Sequence, residues 1–228
     1  RSIGAYQKDD KDTDDGQINQ MTHSISIGRN AGKIDQKNNS IAIGYLAARY
    51  KQSNSAISIG NYWDTDSSGQ LNQGAYAISL GKDAGKYDQG SSAIAIGYGA
   101  GIGSGTVDMD KDSQATQSIA IGSSAGKINQ GGTAGYSTAI GFNAGQTNQG
   151  SNSVALGTNA GDDTQGANSL ALGTNAGYGT QGANSVALGY KSGENTQDVY
   201  AIAIGDQAGN SSQGSHSIAI GDQAGKTS

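Results

Sequence analysis

Ser217-Ile218-Ala219-Ile220-Gly221 decides the fold. Apolar and small residues alternate with a period of two, which places Ile218 and Ile220 on one face of an extended segment and Ala219 on the other. Glycine ends the run. Helical periodicity fails here, because glycine every few residues costs about 1 kcal/mol each in a helix. The same strand-and-junction unit returns throughout the chain, with its glycine at Gly4, Gly28, Gly44, Gly60, Gly81, Gly97, Gly122, Gly141, Gly157, Gly173, Gly189, Gly205 and Gly221. Eight of the twelve intervals are 16 residues; the others are 24, 21, 25 and 19, and the register resumes after each, so they read as insertions within single coils. Self-similarity at a fixed period is the signature of a solenoid.

The expected fold is all-β, a parallel β-roll of about thirteen coils with a 16-residue repeat. Twelve steps at the strand spacing of ~4.8 Å would give a rod about 58 Å long. The whole of residues 1–228 is read as one repeat domain, with insertion-bearing coils over 1–140 and uniform coils over 141–228, and as a segment of a longer fibre. The chain has no proline, which suits a stack in which every coil donates backbone hydrogen bonds to the next. The paired Ile, Leu or Val residues of each strand are expected to point inward. The Ser or Ala between them is expected to face outward against another backbone, a strip that invites several rolls to associate side by side.

Glutamine stands eight residues before eleven of the twelve junction glycines from Gly28 on, including Gln149, Gln165, Gln181, Gln197 and Gln213. Stacked at strand spacing, these side chains form an amide ladder, each donating to the next.

Composition narrows the function classes. The 14 basic residues are scattered singly in a chain of net charge −5, which argues against nucleic acid as a partner. No apolar run reaches the roughly 18 residues of a spanning helix, so this segment is not expected to insert into a membrane. Zero cysteine excludes disulfides and thiolate metal sites. Each serine recurs as a structural position, and no nucleophile–base or paired-carboxylate constellation stands out from the repeat, so no enzyme is expected. His23 and His216 are isolated and expected at the surface. The glycine-rich run Gly97–Gly105 follows the repeat and precedes no helical pattern, which argues against a nucleotide loop.

Three insertions carry Asp-x-Asp and hold ten of the nineteen acidic residues. Their carboxylates Asp10, Asp12, Asp14, Asp64, Asp66, Asp108, Asp110 and Asp112 are the candidate calcium ligands, since alternating carboxylates followed by glycine gather oxygen around Ca²⁺. No bidentate Glu follows, and a plain solvated loop is the other reading; no other cofactor is expected. Tyr62, Trp63 and Tyr76 are candidate ligand contacts, because exposed aromatics mark recognition surfaces, although such residues also fill seams between neighbouring rolls.

Ser40-Ile41-Ala42-Ile43-Gly44, Ser153-Val154-Ala155-Leu156-Gly157 and their copies resemble the YadA-like head repeat of trimeric autotransporter adhesins, over nearly the whole chain. The resemblance implies a left-handed roll, three of which form a tight homotrimer outside the cell that attaches to a host surface protein or glycan. Two features depart from the family pattern: a unit about two residues longer and the regular Gln-Gly element. Similar repeats occur in viral and phage fibres, so a virion-surface fibre that binds a receptor is the alternative. Ice binding is a further one, hinted at by Thr164, Thr180 and Thr196.

Overall fold

The computed structural model describes residues 20–60, 71–103, 113–132 and 134–226. Within them the chain winds as a β-solenoid of about 11 turns at 16-residue spacing; the coil expected at Gly4 lies outside the described residues. One side is a twelve-stranded parallel sheet running from Ile25–Ile27 to Ile218–Ile220 in chain order. The other side is built from strands of two or three residues, grouped as Ile34–Gln36, Tyr50–Gln52 and Leu71–Gln73, then as six strands from Ile128–Gln130 to Ser212–Gln213. Pairing holds residue for residue across the insertions: Ile57 pairs with Ile78, Ile94 with Ile119, and Ile119 with Thr138. The strands flanking each insertion therefore keep the register of the stack.

The junction glycines are dictated by this stacking. Gly157 sits at φ +132°, and a Cβ on it would lie 2.6 Å from the carbonyl oxygen of Gly173 in the next coil. No other residue fits so close an approach.

The interior reverses the expected alternation. The Ser or Ala at the centre of each long-sheet strand is buried (Ala42, Ser58, Ala95, Ala120, Ala171 and Ala203 are fully enclosed), whereas Ile25, Ile27, Ile59 and Leu156 are exposed. The coil is too narrow for two branched side chains. Its lumen takes one small residue from the long sheet, the Ala that follows each corner (Ala84, Ala100, Ala144, Ala160, Ala176), and one glutamine from the short strands. The expected outward strip of Ala and Ser is thus the core, and the expected inward Ile ranks are the exterior.

The glutamines are the largest fully buried side chains. Each is anchored to a strand carbonyl: Gln52 Nε2 donates to Ile41 O at 2.8 Å and Gln181 Nε2 to Leu170 O at 2.8 Å. Burying an amide in so small a core requires such partners. From Gln20 through Gln114, each Nε2 also donates to the Oε1 of the next coil, at 3.0–3.3 Å. From Gln165 to Gln213 the same bonds recur at 3.2 Å. Between these runs the ladder is interrupted: Gln149 Nε2 reaches only Thr138 O, and the Oε1 atoms of Gln149 and Gln165 are buried without a partner.

Gln130 belongs to this ladder although the count backward from Gly141 misses it, because the insertion Gly131–Gly135 follows the glutamine. Counting eight residues forward from Gly122 finds it.

Candidate functional surface

Turning the Ile pairs outward creates the most extensive chemical feature of the exterior. Two parallel ranks run along the long sheet, one from Ile25 and one from Ile27, with every step held in register by the ladder. Side chains in mid-rank are half-buried by their neighbours above and below, and the last pair, Ile218 and Ile220, is 67% and 65% exposed. A contiguous apolar strip of this kind marks an association surface.

Exposed aromatics stand at both margins of the ranks. Two residues before the strand come Tyr76, Tyr136 and Tyr200, all with φ near +60°. Bulky side chains rarely adopt that conformation, and other coils place Asn39, Asn152, Asn168 and Asn184 there. Just after the junction glycine come Tyr45, Tyr98, Phe142 and Tyr190, all exposed. Arg29 lies over Tyr45 at 6.0 Å, and Lys82 over Tyr98 at 5.3 Å, distances at which a cation is attracted to the ring. His216 is exposed and stacks on Tyr200 with centroids 4.9 Å apart; His23 is exposed as well.

The far corner carries the charged groups. Glu194 accepts from Asn210 Nδ2 at 2.7 Å and pairs with Lys191 at 3.1 Å, a contact that raises the lysine pKa. Burial, with Asp163 alongside, pushes the Asp162 carboxyl up to about 6. Hydrogen bonds from Ser215 and the Val199 N–H hold Asp198 below its usual range. Thr164, Thr180, Thr196 and Ser212 line up in register as a hydroxyl rank one residue wide.

Among the candidate site residues, Tyr76 is placed on the margin of the ranks and is 65% exposed. Tyr62, Trp63 and the carboxylates Asp10, Asp12, Asp14, Asp64, Asp66, Asp108, Asp110 and Asp112 lie outside the described residues. Among the described residues no cluster of three His, Cys, Asp or Glu side chains could hold a metal ion, and no helix is long and apolar enough to cross a membrane. The Ile ranks are the surface that reading the sequence missed. Its signal was there: the position confined to Ser and Ala is the enclosed one, and the position that tolerates Ile, Leu, Val and Thr is the free one.

The family model for the YadA head domain repeat matches the chain in two copies, over residues 149–160, a stretch that includes the strand Val154–Leu156 and its junction glycine. The chain therefore carries repeats of the YadA-like head type, and the match points to the adhesin-like surface-fibre family. No curated protein and no solved structure matches it.

Proposed function

We propose that this chain is a non-enzymatic segment of an extracellular surface fibre, in which rolls associate as a homotrimer through the outward Ile ranks and attach to a host surface through the insertions. The observation that carries this reading is the pair of apolar ranks along the whole long sheet. Water-exposed Ile and Leu at every coil are stabilised by burial against a like surface, at about 25 cal/mol per Å² removed from water. A symmetric partner supplies the same ranks at the same spacing. The YadA-type repeats support the trimer as the closed form. Attachment is assigned to the insertions because they leave the stack undisturbed and collect ten of the nineteen acids along with Trp63.

The test is the mass of the particle in solution. The protein should sediment as a trimer, and Leu170→Asn together with Val186→Asn should yield monomers that keep their β-sheet circular dichroism. Removing five residues from within 61–70 and the whole of 104–112, which returns both coils to 16 residues, should leave the trimer intact and abolish adhesion to host cells. A native protein that sediments as a monomer sinks the association reading, and a trimmed trimer that still adheres moves attachment to the regular face.

A further inference from the structure

A repeat this regular leaves the alignment of neighbouring copies undetermined. Consecutive strands of the long sheet present nearly the same pair of branched apolar residues, so sliding one roll past another by a single coil again sets Ile against Ile, Leu or Val. Uniform seams of this kind slip, and a single polar residue within an apolar seam is a known means of fixing register. Thr138 is the only polar side chain among the outward positions of the twelve strands.

Within its own chain the Thr138 hydroxyl has no hydrogen-bond role among the described residues. The side chain is half-buried between Ile119 and Val154, its ladder neighbours, in a position that valine fills elsewhere. What the roll takes from Thr138 is the backbone carbonyl, which accepts from Gln149 Nε2 at 2.8 Å.

We propose that Thr138 sets the register between laterally associated copies. The inference rests on the association reading above. In register, the Thr138 hydroxyls of the copies meet at one level, where each can donate to one neighbour and accept from another. Slipped by one coil, each hydroxyl faces Ile119 or Val154 of its neighbour and leaves water without a partner, a loss that no other coil offsets. The apolar ranks hold the copies together, and this one hydroxyl decides where along the rod they hold.

The native chain has no cysteine, so introduced thiols report without background. Two tagged forms, Leu156→Cys and Leu172→Cys, outward residues paired in adjacent strands, are refolded together and oxidised. With Thr138 in both, disulfides should form overwhelmingly between like positions. With Thr138→Val in both, mixed 156–172 disulfides should rise several-fold, while Thr138→Ser should restore the native pattern. Circular dichroism confirms that each variant folds. A mixed-to-like ratio unchanged by Thr138→Val overturns the register role while association stands. Monomeric mass with no intermolecular disulfide in any form overturns the association itself.

Discussion

Coils before and after Gln149 share one core and one long-sheet exterior and differ on the short-strand side. In six of the earlier coils the residue before the glutamine is Asp35, Lys51, Asn72, Asp88, Asn129 or Asn148, each with φ between 47° and 56°. The outward residue of the short strand is Ile34, Tyr50, Leu71, Tyr87, Ile128 or Thr147. In the later coils the short strand shrinks to two residues and its outward face is Thr164, Thr180, Thr196 and Ser212. Charge divides less sharply: residues 1–149 hold 12 Lys or Arg against 13 acids, nearly balanced, whereas residues 150–228 hold Lys191 and Lys226 against six acids. The long sheet nevertheless runs through both regions without a break. Lumen and junctions tolerate one solution, and the exterior is free to specialise.

The largest expected effect is the one that erases this contrast. Ala95→Leu in one region and Ala187→Leu in the other insert a branched side chain into a lumen that now encloses a methyl group completely. Overpacking costs about 1–3 kcal/mol and occasionally more. In so narrow a coil the upper end applies, which corresponds to a fall in Tm of roughly 6–12 °C. Thermal melts should show equal losses in both regions; a variant that melts like the parent would return the Ala rank to the exterior.

A smaller effect separates the regions at their boundary. Gln181→Leu removes a donor from Gln197 Oε1 and an acceptor from Gln165 Nε2. The cost should be about 1–3 kcal/mol. Gln149→Leu should cost less, because Gln149 bonds only to Thr138 O. The interruption is also repairable. Ser26 and Ser79 donate to Gln36 and Gln89 Oε1 at 2.7 Å from ten residues upstream, whereas the corresponding residues for Gln149 and Gln165 are Ala139 and Ala155. Ala155→Ser should raise stability by about 0.5–1.5 kcal/mol by giving Gln165 Oε1 its missing donor. Ala187→Ser should gain less, because Gln197 Oε1 already accepts from Gln181. Denaturant midpoints decide both comparisons.

The smallest effect is electrostatic. The corner held by Lys33, Arg49, Lys86 and Lys127 in the earlier coils is held by Asp162 in the later ones, where burial raises its pKa to about 6. A carboxyl whose folded pKa is raised binds its proton more tightly in the native state, so its contribution to stability falls as pH rises from about 4 to about 6 and stays low above that. Asp162→Asn should therefore raise Tm at pH 7.5 and leave it unchanged near pH 4. The gain should be under about 1 kcal/mol, because the carboxyl is more than half solvated. An equal Tm gain at both pH values would assign the effect to packing.

Period, strand positions, glutamine column and pairing across the insertions were all legible in the residues, because each follows from spacing alone. The sense of the alternation was not. Ile-Ala-Ile announces two faces without saying which is enclosed, and the ordinary preference for branched residues inside fails when the enclosed space is one methyl wide. Thr138 shows the same limit from the other side. Against an inward rank it reads as a blemish, and against an outward one as the single hydroxyl on an apolar seam.

The glutamine-to-glutamine bonds all point one way. Each runs from Nε2 to the Oε1 of the coil that follows it in the chain, never to that of the one before. Aligned amide dipoles add, as they do along a helix, so the lumen carries a directed field whose negative pole lies toward Gln20 and whose positive pole lies toward Gln213. The acidic late coils surround the positive pole. The rod is thus an electrical vector as well as a scaffold, and parallel copies side by side would sum their fields along the fibre axis.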